Sequence, residues 1–381
     1  MPVYEEKQKI DGQKRYYIRT YITDENGNKK QITRHNKDWI GRDGKKEAEF
    51  EESKLRTKTF SKTKNILFEE LCELYLEEHK KINKESTYYT YMKLINKWII
   101  PYFQNKKTTS LTLNDFINWH NNQLLDSISL NMRNKCHSTL SNILDYGIRY
   151  RYVNENFEKT LGAFKEKNEV INEDKGKIRY ITYEQFKKFI SVVNDEKWNT
   201  FFTVLYYTGM RKGEVQALQW KDINFNLKQI NVTKTLTVKT IDSIYKITNT
   251  KTKENRKIDI DDYLLNVLKK FYNSQKKKND FKETFFVFGD DKPLPSTTID
   301  RYKHKFFKKS GIDEITIHEF RHSHVSLIIN KAIENNLNMS AVFVMLSERM
   351  GHTIEVMQKI YMHLFPNIQN EVINIMNNLE K

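Results

Sequence analysis

Apolar positions along the chain change period several times, and the changes divide it. Over residues 16–22 they alternate with polar ones, the period of a half-buried strand. Residues 24–28, with Gly27, read as a hairpin turn and 30–34 as the return strand. A helical pattern follows over 45–57. From residue 64 the period lengthens to that of helices. Phe68, Leu71, Cys72, Tyr75, Leu76 and His79 fall on one face. Ser86 is placed to cap a second helix through Tyr91, Leu94, Ile95 and Trp98, with Pro101 as its stop. Thr112 and Asp115 form a capping box for a helix over 113–125. Ser129 opens a long helix with the stripe Cys136, Leu140, Ile143, Leu144 and Gly147.

Residues 166–178 are charged and aperiodic, as an interdomain linker would be. Thr182 with Gln185 then caps a new helix. Beyond it helices alternate with a β section, 229–238, 244–249 and 256–260, read as one small antiparallel sheet with Lys251 in the turn between its last two strands. The pattern predicts a multidomain, mainly α chain with small β-sheets. Its parts are a β-rich domain over 1–60, a four-helix domain over 64–165, the linker, and a mixed α+β domain over 179–381.

Composition narrows the function. Apolar residues are 38% of the 381, but 13% are aromatic, enough for real cores. A net charge of +16 points to a polyanionic partner, nucleic acid or an acidic membrane surface, although heavy use of Lys, Asn and Ile means that part of it is compositional bias. No apolar run is long enough to span a bilayer, and the polar start MPVYEEKQKI lacks a signal-peptide pattern. Cys72 and Cys136 lie inside helical patterns and read as reduced core residues of a cytoplasmic protein. Arg19 and Arg34 on the strands are candidate DNA contacts, with a solvated basic face as the lesser reading; Lys84, Lys93, Arg133 and Lys135 on the helices are candidates too, though each alone reads more readily as solvated surface.

Two chemistries compete for the C-terminal residues. His318-Glu319-x-x-His322 matches the zinc-protease pattern, but the metzincin continuation needs Gly where Val325 stands, and Glu348 or His352 would be a third ligand at no known spacing. The alternative is phosphoryl transfer without metal. Arg211 and Arg321 would grip non-bridging oxygens with planar forks. Tyr361 would attack, a neighbouring His would take its proton, and a Lys such as Lys251 would protonate the leaving oxygen. Taken singly, each residue has a bland reading: a helix pair, a surface ion pair, one Tyr among 21. Their order and spacing decide.

In that order the chain resembles the tyrosine recombinase, or phage integrase, family. The family's T-G-x-R-x-x-E falls on Thr208 to Glu214 with Arg211, its hairpin Lys on Lys251 (Lys253 is the alternative), and its H-x-x-R on His318 and Arg321. Its G-H falls on Gly351 and His352, and its nucleophile on Tyr361, nine residues further. The resemblance implies an arm-binding domain at 1–60, a core-binding domain at 64–165 and a catalytic domain at 179–381. It implies an integrase of a mobile element that works as a homotetramer on core and arm sites of duplex DNA, through a 3′-phosphotyrosyl intermediate and a Holliday junction. No cofactor or metal is implied; an excisionase and a DNA-bending host protein are the accessory partners. A type IB topoisomerase-like enzyme and a non-catalytic DNA-binding protein of the same fold are the alternatives. Met350 and Phe157 replace the family's usual Leu and Pro, and the Arg321–His352 segment is longer than usual around 332–340.

Overall fold

The computed structural model describes residues 3–10, 12–23, 29–57, 64–122, 127–165, 178–249 and 255–361. The chain is mainly helical with small antiparallel sheets, in two compact units, Met1–Asn168 and Glu169–Lys381. Among the described residues no helix is long and apolar enough to cross a membrane.

The first unit opens with strands β1 (Val3–Ile10), β2 (Gln13–Thr23) and β3 (Lys29–Ile40), antiparallel in that order, followed by helix α1 (Gly41–Thr57). The return strand is longer than its apolar pattern suggests, and β1 was not expected, because both are mostly polar: among the described residues Ile18, Trp39 and Ala48 form the buried apolar core here. Arg19 and Arg34 are exposed, and Arg19 lies 5.5 Å from the Tyr17 ring centroid. The expected turn at 24–28 lies outside the described residues.

Helices α2 (Phe68–Ile82), α3 (Glu85–Leu94), α4 (Ile100–Phe103), α5 (Leu113–His120), α6 (Leu130–Arg149) and α7 (Phe157–Leu161) enclose a second core, with Phe68, Leu71, Phe103, Phe116, Trp119 and Leu140 fully or almost fully buried. The capping box is present, with the Thr112 N–H donating to Asp115 at 2.8 Å, and Met132 N–H donates to Ser129 Oγ at 3.3 Å. Ser86 is not the cap: Lys84 holds that position, and the Ser86 carbonyl accepts from the Thr90 hydroxyl. Pro101 does not end the helix either. A π turn over Ile95–Ile99 resets the register, so Pro101 falls in the first turn of α4, where its missing N–H has no helical partner to lose. With α4 set off from α3 by the π turn and the short α7 added, six helices stand here among the described residues where four were expected. Helix α5 ends at His120, with Asn121 as its C-cap, short of the expected 125; residues 123–126, like 166–177 of the linker, lie outside the described residues.

In the second unit, α8 (Tyr183–Ser191) starts at the expected Thr182–Gln185 box. Helix α9 (Glu196–Thr208) is buried along most of its length, with Phe201, Phe202, Val204 and Leu205 at zero exposure. Around it pack α10 (Lys212–Ala217), α11 (Asp262–Gln275), α12 (Ser296–Ser310) and α13 (Ile317–Glu334). Phe189, Phe202, Phe307 and Phe320 make an aromatic cluster, Phe202 and Phe320 stacking at 5.6 Å. Helices α14 (Met339–Met350) and α15 (Ile354–Tyr361) close a smaller core with the C-terminal half of α13.

The β section is two sheets, not one. Strands β4 (Ile223–Asn224), β5 (Gln229–Val232) and β8 (Arg256–Asp259) form the first, β6 (Lys234–Thr237) and β7 (Lys246–Asn249) the second. Ile230, Val232 and Ile258 keep the first sheet on the main core. The second lies against the start of α10, where Gly213 admits it: a Cβ there would come within 2.5 Å of the Leu236 carbonyl oxygen. Strands β7 and β8, which flank Lys251, therefore do not pair as a hairpin.

Candidate active site

The site is built where α9 ends. Gly209 takes a left-handed turn at φ 63°, and a Cβ there would also meet Met350 at 2.7 Å and His324 at 2.8 Å. That turn sets Arg211 at the N-cap of α10. Arg211 donates from its backbone N–H to Glu214 at 2.8 Å, from Nη1 to Glu214 at 3.0 Å, and from Nη2 to the Gly351 carbonyl at 3.2 Å. Glu214 is buried and also accepts from Arg256 Nη1 and Nη2 at 2.9 and 2.6 Å. Burial by itself would raise the Glu214 pKa. The bonds and charge of Arg256, then those of Arg211, more than offset it and bring it to about 2. One ionised carboxylate thus holds two guanidiniums.

Arg321, on α13, is 2% exposed. It donates to the carbonyls of Gly209, at 2.8 Å, and of Met350, and Nη2 lies 3.1 Å from His352 Nε2. Burial, with Arg211 next, pushes its pKa down to about 9, which leaves it charged at neutral pH. Because Arg321 can only donate, His352 Nε2 must accept. The neutral ring then carries its proton on Nδ1, which is buried with no partner among the described residues. Burial, then Arg321 and Arg211, hold the His352 pKa at about 4. His318, exposed at the start of α13, also has a lowered pKa, from the surrounding protein and then Arg321 and Arg211.

Tyr361 comes from α15 and is 2% exposed. Its hydroxyl lies 2.6 Å from His322 Nδ1. Burial pushes the phenol up to about 12, with Arg321 acting the other way. Burial and then His318 hold His322 at about 4, so the imidazole is neutral; in the tautomer protonated at Nε2, its Nδ1 accepts the phenol's hydrogen. In the sequence His322 stands out only through the zinc pattern. The signal was its spacing, one turn after His318 and next to Arg321. Arg256 and Arg349 were also missed. Arg349 donates to His324, Asp259 and Tyr207, and its carbonyl accepts from Arg256 Nε.

The structure brings together Arg211, Arg321, His318, His352 and Tyr361. Lys251 and Lys253 lie outside the described residues. Arg19, Arg34, Lys84, Lys93, Arg133 and Lys135 belong to the first unit, where all but the half-buried Arg133 are exposed. The atoms of His120, His137 and Glu158, in that unit, are close enough to hold a metal, within 4.8 Å of one another, and hydrogen bonds from the two imidazoles to the buried carboxylate already account for the cluster. In the second unit two fixed guanidiniums, the imidazoles of His318, His322 and His352, and a phenol make a site suited to a phosphodiester: forks for the oxygens, charge to offset what builds in the transition state, and a nucleophile.

The phage integrase family model matches residues 179–367, and that of the phage integrase N-terminal SAM-like domain matches 67–124. The chain is 27% identical over 368 residues to the ICEBs1 integrase of Bacillus subtilis (strain 168), covering 94% of each. It is 25% identical to the integrase of Staphylococcus phage L54a, covering 84% of this chain and 95% of the relative. Its fold is that of the Tn1549 transposon integrase in complex with circular intermediate DNA (TM-score 0.61, 19% identity, 81% of this chain and 99% of the other). It is also that of a lambda integrase tetramer bound to a Holliday junction (TM-score 0.56, 16% identity, 92% and 95%). The chain belongs to the phage integrase family and is a tyrosine site-specific recombinase.

Proposed function

We propose that this recombinase integrates and excises a mobile element, with Tyr361 as its nucleophile. The observation that carries the reading is the convergence of Arg211, fixed by Glu214 and the Gly351 carbonyl, and Arg321, fixed by the Gly209 and Met350 carbonyls, on the side of the unit where α15 supplies Tyr361. Arg211 and Arg321 hold the scissile phosphate, and His352, its Nε2 3.1 Å from Arg321 Nη2, stands beside it. His318, in the field of both guanidiniums, assists. Tyr361 attacks phosphorus, leaving a 3′-phosphotyrosyl link, and Lys251 protonates the 5′-oxygen. The 5′-hydroxyl of a partner strand then attacks that link. Each step exchanges one ester for another, so no nucleotide hydrolysis is needed.

Residues 1–60 serve as the arm-binding domain, 64–165 as the core-binding domain, 166–178 as the linker and 179–381 as the catalytic domain. Four protomers act together on duplex DNA through a Holliday junction. The DNA-bound Tn1549 integrase and the lambda integrase tetramer on a junction support this assembly. A nicked suicide duplex tests the nucleophile. Tyr361→Phe should form no covalent adduct yet bind DNA like the wild type; an adduct in that variant would overturn the assignment.

A further inference from the structure

We infer that His322 is the proton acceptor for the nucleophile, a role that rests on the reading of Tyr361 given above. Its Nδ1 stands 2.6 Å from the phenol oxygen. Both ends of that contact are held. The Tyr361 ring packs in the core of Val325, Ile329, Met350 and Met357, and His322 sits on α13 between Arg321 and the buried Ser323. His318 is one turn away, its ring perpendicular at 5.0 Å.

A phenol is a weak nucleophile while it keeps its proton, and burial makes this one keep it more firmly. The groups around His322 are His318, Glu319 and Arg321 on its own helix and Tyr361 from α15. Burial, His318 and Arg321 disfavour the imidazolium, and Glu319 favours it. The ring is therefore neutral at rest; in the tautomer protonated at Nε2 its Nδ1 lone pair faces the phenol, and the proton stays on oxygen. Two changes on substrate binding move it. A phosphate on Arg321 brings negative charge that offsets the guanidinium, and the phenol oxygen loses basicity as it bonds to phosphorus. As the Tyr361 oxygen–phosphorus bond forms and the bond from phosphorus to the 5′-oxygen breaks, the phenolic proton passes to His322 Nδ1. The 5′-oxygen takes its proton from a separate acid, Lys251 in the reading above. In rejoining, the His322 imidazolium returns the proton to the departing phenolate.

The test measures adduct formation on a nicked suicide duplex, with full-length wild type, His322→Ala, His322→Asn and Tyr361→Phe. His322→Ala should cleave ~10²–10⁴-fold more slowly at neutral pH with unchanged DNA binding. The deficit should narrow as pH rises, and added imidazole should restore part of the rate. His322→Asn, whose carbonyl accepts the phenol's hydrogen bond but not its proton, should be as slow. A wild-type rate in His322→Asn overturns the inference. So does a deficit in His322→Ala that is constant with pH and indifferent to imidazole. A substrate with sulfur in place of the 5′-oxygen needs no acid: the variants should stay slow on it, and recovery would assign His322 to the leaving group instead. An adduct in Tyr361→Phe removes the nucleophile reading and this one together. Its absence, with His322 variants at the wild-type rate, removes this one alone.

Discussion

Replacing Glu214 with Gln tests the claim that one buried carboxylate holds both Arg211 and Arg256. Its pKa falls from 4.5 to about 2 on folding. At about 1.36 kcal/mol per pH unit that drop corresponds to ~3 kcal/mol of stability. The sign follows from the direction: a depressed carboxylate contributes fully above its unfolded value near 4.5 and loses its contribution as pH falls towards 2. Removing one member of a buried ion pair costs about 3–5 kcal/mol, because the partner charges stay behind unpaired. Glu214→Gln should therefore destabilise the second unit by about 3 kcal/mol at neutral pH. Hydrogen exchange during urea unfolding, read on peptides from 179–361, follows that unit apart from the first. Between pH 4.5 and 2 the wild type should lose stability that the variant never had, so the two converge. Adduct formation should slow as well, since Arg211 loses the bond that aims it. A loss below about 1 kcal/mol at neutral pH, or no convergence in acid, would refute the reasoning.

Three further outcomes are expected. Arg321→Lys keeps a charge but cannot reach the Gly209 and Met350 carbonyls and His352 together, so suicide-substrate cleavage should drop ~10²-fold or more. Gly209→Ala puts a side chain at φ 63° against Met350 and His324 and should destabilise the second unit by ~1–3 kcal/mol in urea titrations, with slower cleavage. DNA affinity, measured by fluorescence anisotropy, should fall ~10³-fold or more between about 50 and 200 mM salt, given the net charge of +16; a flat response would argue against phosphate-led binding.

Local signals were legible where a side chain speaks for the backbone. The boxes at Thr112–Asp115 and Thr182–Gln185 and the cap at Ser129 stand where their spacing put them. The stripe of α6 is the buried face, with Cys136, Leu140, Ile143 and Leu144 inside. What sequence reading lost depends on partners far along the chain. The polar β1 is held by pairing with β2, and the break between β5 and β6 is set by what each covers. At the site, motif spacing singles out Arg211, Arg321 and His352, which the fold brings together, but not Arg256 as the second cation on Glu214. The bond from His322 to Tyr361 spans 39 residues, and no periodicity reports such a contact.

The unusual length between Arg321 and His352 has a simple outcome in the fold. Helix α13 runs on to Glu334, an exposed connection follows, and α14 returns. The two ends are fastened by Arg321 to the Met350 carbonyl and by the His352 N–H to the Ser347 carbonyl at 3.0 Å. Between them Val325, Ile329 and Met350 pack with Tyr361, while 335–338 stand exposed, away from that core. The bend between them is a place where lineages of the enzyme can gain or lose residues, or an engineer can insert a reporter, without retuning catalysis. Length there is a freedom that the fold grants to evolution, separate from the spacing it holds fixed.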